Sequence, residues 1–439
     1  MRFPISKESF LNVFTTNVYK KIVNDSAIEY EEEITLADFK KMLNKLYEEI
    51  ITNNYSPQSP ENYLYLHKSL YVARIIPILK AKDEAFYYFI CKYLEDDLTK
   101  DRVPNTFGGW RLGKELKTKE KENIEDICYV YGSYNPALWS KYWKEFVNIS
   151  RVFSESKQFK YVIKLDISNF YDSINLNILK SKLIEILPKK KIWAIDYLIY
   201  FLSYWNKRID NYSPRSIGLP QTQFGDQSRL IANFYLQKYD LAINEICHKY
   251  NAEYVRYADD QLIFLKNDEY QSIMLTVNKE LNKIGLNLNA AKSKMLSIEE
   301  LSKYYLYSAQ KQLDDKKYDL SFNNFYKLYT SEKQNIRYDT YIKRILGKEI
   351  GLNKFNLKNR SIVKSIIFDK DFLLFSNARL IKTIYSNLST NEQDEFIKLL
   401  WEILPETLFN SYDYALLKFF KDAKLTTHYD NLKSLLEEF

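Results

Sequence analysis

The sequence predicts an α+β protein in which a middle segment with strands lies between two helical regions. Up to about residue 100, apolar side chains recur at three- and four-residue spacing, as in LADFKKMLNKLYEEIIT and DEAFYYFICKYLEDDL, which predicts amphipathic helices. Between about 160 and 300, short β-rich runs such as YVIKLDI and YVRYADDQLIFL alternate with helical stretches. Beyond residue 300 the strand pattern ends and the helical pattern continues.

The composition is that of a globular protein and leaves its partners open. Of the 439 residues, 46% are hydrophobic and 16% are aromatic, which excludes a disordered chain and allows two or three domains. The net charge of +7 permits a polyanionic partner without requiring one. The three cysteines and three histidines share no metal-ligand spacing, so neither a zinc site nor a disulfide framework is expected.

The N-terminal stretch MRFPISKESFLNVF lacks the apolar core and the cleavage site of a signal peptide. No run approaches the ~18 apolar residues of a membrane span. We therefore expect a cytoplasmic protein without a membrane partner.

Two features of the chain predict local backbone structure. Over half of the nine glycines lie in NTFGGWRLG and SIGLPQTQFGDQ, which indicates tight backbone in both stretches. In the tail, Ser389 and Glu392 have the spacing of a capping box, and the helix that they open is expected to end before Pro405. A helical bundle or an irregular α-solenoid is expected there.

Two adjacent carboxylates, Asp259 and Asp260, lie between apolar runs in EYVRYADDQLIF, where a hairpin is expected. Alone, such a pair indicates only a surface turn. Asp166 ends the run YVIKLD, and a strand followed by a turn and a helix can bring its carboxylate beside the hairpin. Charges ~4 Å apart repel by about 4 kcal/mol at an effective dielectric constant of ~20, so this arrangement needs a cation, for which Mg²⁺ is suited. Two-metal phosphoryl transfer uses such carboxylates.

The order of the motifs resembles the palm of reverse transcriptases. Asp166 comes first, GLPQ precedes a helix, YADD forms a hairpin, and IGLNLNAAKSKM follows. The resemblance covers about residues 70 to 300. It implies the fingers-palm core of a right-hand polymerase, with an antiparallel palm sheet and helices, followed by an all-α C-terminal region.

The resemblance also implies three domains. Residues 1–155 would form the fingers and N-terminal helices, and residues 156–300 would form the palm with the polymerase motifs. Residues 301–439 would form a helical domain in place of the thumb.

Residue roles follow from the same resemblance. Asp166 and Asp259 would bind two Mg²⁺ ions, with Mn²⁺ as a substitute, and Asp260 would assist from the same hairpin. Tyr171, five residues after Asp166, matches the aromatic steric gate against a ribose 2′-hydroxyl, which implies the use of deoxynucleotides. Without the motif, Tyr171 would be interpreted as a core aromatic residue.

The loop and helix that follow match the family pattern in part. Gln221 is expected to contact the nucleotide. The template–primer loop and its helix match at Gly218, Leu219, Pro220, Ser228, Asn233, Tyr235 and Leu236. Thr222 stands where the family usually has glycine, and the spacer to Ser228 is longer than the common form, which puts templating fidelity in doubt.

Basic residues could meet the triphosphate. Lys292 matches the residue that neutralises or protonates the leaving pyrophosphate, although a solvated surface lysine is the alternative interpretation. Arg74, Lys80 and Lys82 lie in a segment that resembles the fingers, where cations offset the developing charge.

Within the family, the sequence lacks the long thumb and maturase region of group II intron enzymes and the VTG and NAxxH signatures of retron enzymes. It looks most similar to bacterial abortive-infection and defence-associated (unknown-group) reverse transcriptases. That similarity implies antiphage defence, with dNTPs and a nucleic-acid template–primer as partners. It leaves open a protein tyrosine as primer, template-independent synthesis, a non-coding RNA and a homo-oligomer.

Two other functions remain as alternatives. An RNA-dependent RNA polymerase shares the palm and the Asp pair, but its first palm motif does not usually carry an aromatic gate. A nucleic-acid-binding module that has lost catalysis is disfavoured because all three aspartates are retained.

Overall fold

A computed structural model describes residues 3–26, 34–60, 62–69, 72–112, 138–206, 214–222, 225–347, 350–374, 376–406 and 411–437. Their contacts divide the chain into two compact units. Unit 1 comprises the described residues of 3–26, 34–63 and 76–298, and unit 2 comprises the described residues of 64–75 and 299–439.

The described part of the chain up to residue 297 contains helices and strands. Its helices are α1 (Lys7–Leu11), α2 (Thr16–Ser26), α3 (Leu36–Ile51), α4 (Ala81–Thr99), α5 (Leu138–Glu155), α6 (Phe170–Ser173), α7 (Leu176–Ile186), α8 (Ile192–Tyr204), α9 (Asp226–Lys249) and α10 (Gln271–Lys283). Its strands are β1 (Asn62–Ser69), β2 (Val72–Ile78), β3 (Thr106–Phe107), β4 (Tyr161–Asp166), β5 (Glu253–Tyr257), β6 (Asp260–Leu265) and β7 (Lys294–Ser297).

The predicted N-terminal helices are present, but one of them is not amphipathic. In α3, Thr35 caps the N-terminus by accepting from the Asp38 N–H, and the buried residues recur at helical spacing. In α4, the residues from Ala85 to Cys91 are all buried. Because α4 packs against α2, α3, α8 and α9, no face of its middle turns is left for solvent.

The prediction of helices alone up to residue 100 is wrong for β1 and β2. These strands form a two-stranded sheet. β1 contains two Tyr residues and β2 contains Val and three Ile residues, and these residue types favour strands.

The sheet of unit 1 has five strands in the order β3-β5-β6-β4-β7. The pairs β4–β6, β4–β7 and β5–β6 are antiparallel, as expected. The pair β3–β5 is parallel, so the prediction of an antiparallel sheet is wrong at this edge. The edge strand is fixed by two backbone bonds, from the Arg256 N–H to the Asn105 carbonyl (3.0 Å) and from the Ala258 N–H to the Phe107 carbonyl (3.2 Å).

Beyond residue 297 the described residues contain helices and no strand. These helices are α11 (Ile298–Tyr304), α12 (Tyr307–Asp314), α13 (Tyr318–Glu332), α14 (Tyr338–Leu346), α15 (Leu357–Ile367), α16 (Lys370–Leu374), α17 (Ala378–Tyr385), α18 (Thr390–Ile403), α19 (Ser411–Ala423) and α20 (Thr426–Glu437). They enclose an apolar core of their own, drawn from residues between 306 and 432. The predicted helical C-terminal region is therefore confirmed.

The capping box predicted for α18 is also confirmed. The Ser389 side chain accepts from the backbone of the first turn, and the Glu392 side chain accepts from the Ser389 N–H at 2.8 Å. The helix ends at Ile403, before Pro405, with Phe396, Leu400 and Ile403 buried.

Within the described ranges, no helix is long and apolar enough to cross a membrane. Cys91 and Cys247 are buried free thiols, and Cys128 lies outside the described residues.

Candidate active site

The register of two neighbouring strands brings the predicted carboxylates together. Asp166 ends β4 and Asp260 begins β6, and the two residues lie directly opposite each other. Opposed residues have Cβ atoms about 4.5–5.5 Å apart, on the same face of the sheet. Asp259 lies in the turn formed with Ala258 between β5 and β6. The predicted hairpin is therefore present, with Asp259 in the turn and Asp260 already in the strand.

The turn before β7 contacts the end of β4 and carries a lysine that pairs with its last residue. The Asn289 N–H donates to the Asp166 carbonyl at 2.8 Å. Lys292 Nζ lies 3.3 Å from Asp166 Oδ1, and the two side chains are 60% and 9% exposed. The buried carboxylate thus meets an ammonium group that reaches in from solvent. The predicted action of Lys292 on the leaving pyrophosphate stays a prediction.

The carboxylates fit a divalent cation that is shared with a substrate. In the part of the chain that the structure describes, no group of three or more His, Cys, Asp or Glu side chains is arranged to hold a metal ion. Mg²⁺ in phosphoryl-transfer sites usually takes one or two carboxylates and completes its shell with water and phosphate oxygens. Asp166 and a hairpin carboxylate supply that number of hard oxygen donors, and the Lys292 ammonium lies 3.3 Å from Asp166 Oδ1.

Tyr171 lies in α6, five residues after Asp166, the last residue of β4. The Leu219 N–H donates to the Tyr171 carbonyl at 2.9 Å, which ties α6 to the GLPQ loop. The Tyr171 ring is partly buried and contacts Phe170, with ring centroids 5.3 Å apart. Neighbouring Asn169 has φ +44°, a left-handed conformation that Asn tolerates better than most residues.

The electrostatic neighbours of Tyr171 include residues that the sequence analysis missed. Burial raises the pKa of Tyr257, Arg229 lowers it, and Tyr171, Asp226 and Asp260 raise it further. Arg229 Nη1 also pairs with Asp226 Oδ1 at 3.2 Å. An Arg–Asp pair in the first turn of α9 therefore belongs to this site. Arg229 directly follows Ser228, which was the available signal, but the family pattern matches only Ser228, Asn233, Tyr235 and Leu236 in this helix.

The GLPQ loop is fastened to the helices around it. Gly218 has φ +96°, where a side chain would be strained, and Leu219 is buried. Ser228 Oγ donates to the Pro220 carbonyl at 2.5 Å and lies 3.1 Å from the Tyr87 hydroxyl. Ser228 thus holds the loop against α9 and α4. Gln221 is partly buried, and its contact with a nucleotide stays a prediction.

The glycine pair Gly108–Gly109 explains how the edge of the sheet approaches α9. A Cβ atom at Gly108 would lie 2.8 Å from Asn233 Nδ2, and one at Gly109 would lie 2.6 Å from Arg229 Cβ. Real Cβ atoms do not approach so closely, so only glycine fits. The prediction of tight backbone at this stretch is confirmed.

The cations predicted for the triphosphate have different surroundings. Arg74 is exposed on β2, in the part of this strand that belongs to unit 2. Lys82 Nζ pairs with Glu49 Oε2 at 3.0 Å, and Lys80 precedes α4. Their roles in nucleotide binding stay predictions.

Comparisons with known proteins support the class of this site. The model of the family described as reverse transcriptase (RNA-dependent DNA polymerase) matches residues 108–338, which is more than half of the chain. The chain therefore belongs to the reverse transcriptase family. No curated protein matches the sequence.

Solved structures similar to this chain include two of apo telomerase from Candida Tropicalis. The form truncated from its C-terminal domain is 16% identical, with 58% of this chain and 55% of that chain covered and a TM-score of 0.34. The other is 12% identical, with 66% of this chain and 55% of that chain covered and a TM-score of 0.34. This chain spans about half the length of either telomerase chain.

Membership of the family fixes the coarse description. The chain has a reverse-transcriptase-like fold with a mixed sheet, helices and a helical C-terminal region. Domains of this family are nucleotidyltransferases and generally use divalent metal ions.

Proposed function

We propose that this chain is an RNA-directed DNA polymerase that adds deoxynucleotides to a primer hydroxyl. The observation that carries the proposal is the register that sets Asp166 opposite Asp260, next to Asp259, inside the segment that matches the family. A polymerase needs carboxylates from separate segments at one point, and β4 and the β5–β6 turn supply them.

The carboxylates would hold the catalytic cations. Two Mg²⁺ ions, with Mn²⁺ as a substitute, would be held by Asp166 and Asp259, with Asp260 in support. When bound, they supply charge stabilisation at the reacting phosphate and activation of the attacking hydroxyl.

The remaining side chains act on the nucleotide. Lys292, which reaches Asp166 from solvent, would neutralise or protonate the pyrophosphate leaving group. Arg74 would contribute positive charge to triphosphate binding. Gln221 and the loop that carries Gly218, Leu219, Pro220 and Ser228 would pack against the templated base pair.

Tyr171 would select the sugar. The Tyr171 carbonyl accepts a hydrogen bond from the Leu219 N–H, which links α6 to the GLPQ loop. A ring beneath the incoming sugar would collide with a 2′-hydroxyl and leave room for deoxyribose. The preference for dNTPs over NTPs follows.

The biological role that we propose is antiphage defence in the bacterial cytoplasm, on the basis of the motif set and the helical C-terminal region. Residues 1–155, 156–300 and 301–439 would serve as fingers, palm and thumb replacement. The primer would be a nucleic-acid 3′-hydroxyl or a protein tyrosine, and a non-coding RNA or further copies of the chain are candidate partners.

The direct test is incorporation of labelled dNTPs by the purified chain with Mg²⁺, with and without RNA and DNA template–primers. Product that requires Mg²⁺ and disappears in Asp166→Asn is the expected result. A wild-type chain that incorporates only NTPs would replace this proposal with an RNA-dependent RNA polymerase. A folded chain that binds nucleic acid and incorporates neither would indicate a binding module.

A further inference from the structure

Beneath the hairpin that carries Asp259 lies a fully buried ion pair. Arg256, the next-to-last residue of β5, and Asp240, in α9, both have side chains that are 0% exposed. Arg256 Nε donates to Asp240 Oδ1 at 2.7 Å, and Nη2 donates to Oδ2 at 2.5 Å. This two-pronged arrangement fixes the orientation of the guanidinium plane as well as its position.

The third nitrogen of the same guanidinium reaches the turn. Arg256 Nη1 donates to the Ala258 carbonyl at 2.8 Å and to Asn233 Oδ1 at 2.9 Å. Ala258 directly precedes Asp259, and its φ of +52° is a conformation that alanine rarely adopts. The Ala258 N–H donates to the Phe107 carbonyl at 3.2 Å. Both polar groups of the Ala258 backbone are therefore held in place.

The polar network also includes the residue that follows the two carboxylates in the chain. Gln261, directly after Asp260, is buried and lies opposite Arg256 in the sheet. Gln261 Oε1 accepts from the Tyr239 hydroxyl at 2.6 Å, and the Tyr254 hydroxyl donates to Asp240 Oδ1 at 2.8 Å. The Tyr254 hydroxyl also lies 3.4 Å from Gln261 Oε1. Ala258 and Gln261, which flank Asp259 and Asp260 in the chain, therefore both contact the polar cluster around Arg256 and Asp240.

Stability alone does not account for the cluster. Burying two charges requires their desolvation, and well-packed apolar residues often stabilise a fold as well as a buried ion pair does. An apolar side chain at position 256 could fill the space in β5, but it could not donate to the Ala258 carbonyl. Only arginine supplies a planar group whose nitrogens can donate at once to side chains of α9 and to the Ala258 carbonyl in the turn.

We propose that Arg256, oriented by Asp240, is a positioning residue that holds the Ala258–Asp259 turn in its strained conformation and so aims the Asp259 carboxylate. The inference rests on the proposed polymerase function. Arg256 touches neither substrate nor cation; it acts through the backbone of Ala258.

The variant that tests this inference is Arg256→Lys. It keeps the positive charge but replaces the planar guanidinium with a single ammonium, which cannot contact Asp240, Asn233 and Ala258 in the same geometry. A second variant, Arg256→Met with Asp240→Leu, removes both charges together and keeps the turn testable if the single change prevents folding. Arg344→Lys is the matched control, since Arg344 pairs with Asp314 at 2.6 Å within unit 2.

Two measurements are made on each folded variant: amide hydrogen exchange at Ala258, and kcat and KM for dNTP incorporation. In Arg256→Lys we expect exchange at Ala258 to rise at least about tenfold while residues 262–265 of β6 stay protected. We expect kcat to fall on the order of 10- to 100-fold with KM nearly unchanged, since a small misplacement of a reacting group has that effect. The control should match wild type in both.

Faster exchange with an unchanged kcat would overturn the inference, because the turn would then not need its restraint for catalysis. A lower kcat with unchanged exchange would overturn it as well, because the effect would not pass through the turn. If the wild type polymerises nothing and Arg256→Lys still loosens Ala258, the proposed function fails while the restraint of the turn stands.

Discussion

We propose that the side chain of Tyr171 decides which sugar the site accepts. Replacing the ring with Ala opens space without touching Asp166 or the hairpin. We expect wild type to use dNTPs and Tyr171→Ala to accept NTPs far better while it keeps some dNTP activity. Steric rejection of this kind can exceed the ~1 to 3 kcal/mol of a favourable pocket contact, so the dNTP/NTP ratio of kcat/KM should fall at least about tenfold.

Competition assays with matched dNTP and NTP pools measure that ratio. Tyr270→Ala removes a tyrosine that is 37% exposed at the start of α10, and it serves as the control that should leave the ratio unchanged. An unchanged ratio in Tyr171→Ala, or a wild type that prefers NTPs, would remove Tyr171 from the gate.

Asp83 makes the stability of the protein depend on pH. Burial raises the pKa of its carboxyl to about 6, against the opposing effect of hydrogen bonds from the Gln58 N–H and the Tyr55 hydroxyl. A raised folded-state pKa stabilises the protonated form, so this contribution is full below about pH 4 and is lost as the pH rises through about 6. Asp83→Asn keeps the shape and does not ionise.

As the pH rises from about 4 to 7, the free energy of unfolding of Asp83→Asn should therefore increase by about 3 kcal/mol relative to that of wild type. Urea unfolding of both proteins across that range measures the gap. Curves that stay parallel at every pH would show that Asp83 does not titrate between the two states.

Single residues differ in how well the sequence predicts them. The catalytic role of Asp166, Asp259 and Asp260 stays a prediction, but their positions at or beside strand ends could be predicted because each lies next to an apolar run. Arg256 and Asp240 could not, because the sequence does not show that a residue of α9 lies beneath a residue of β5. Only the packing of the helix on the sheet joins them.

At the scale of elements, the approach of the segment after β3 to α9 depends on glycine. Gly108 has φ +134°, and a Cβ atom there would also collide with Asn233. Gly285 has φ +71° and nothing within 4 Å of an added Cβ. Both substitutions to Ala strain the backbone, but only Gly108→Ala adds the collision.

We expect Gly285→Ala to lower the free energy of unfolding by about 1 kcal/mol and Gly108→Ala by a further ~1 to 3 kcal/mol. Because Asn233 also accepts from Arg256, Gly108→Ala should reduce dNTP incorporation as well. Denaturant unfolding and the incorporation assay check both effects. Equal losses of stability in the two variants would show that the Asn233 side chain moves away from the added methyl group at little cost in free energy.

Elements fixed by distant contacts were not predicted, and a local signal was not always enough, since the strand-favouring residues of β1 and β2 lie in a region that was predicted to be helical. The capping box of α18 is a pattern of neighbouring residues, so it could be predicted. The strand β3 is two residues long and exists because it pairs with β5, so nothing local marks it. The burial of α4 on all sides likewise comes from the helices packed around it.

At the scale of the whole molecule, the helices after residue 299 have a core separate from that of unit 1. Residues 64–75 belong with these helices, a long-range grouping for which the local pattern contains no signal. If residues 301–439 replace a thumb, a fragment that ends at Glu300 should fold around the unit 1 core and form no product, although all three aspartates remain. Far-UV circular dichroism and the incorporation assay test this fragment. A soluble and fully active fragment would show that the helical region is dispensable.

The measurement that tests the central claim most directly is dNTP incorporation by Asp259→Asn beside wild type and Asp268→Asn. Asp268 is an exposed aspartate beyond β6, so its variant makes the same chemical change away from the turn. We predict that Asp259→Asn loses incorporation by at least about 100-fold while its thermal stability holds or rises, because the change removes a cation ligand and also relieves carboxylate repulsion. Asp268→Asn should retain wild-type activity. A folded Asp259→Asn protein that incorporates dNTPs as wild type does would contradict the assignment of Asp166 and Asp259 as the catalytic carboxylates.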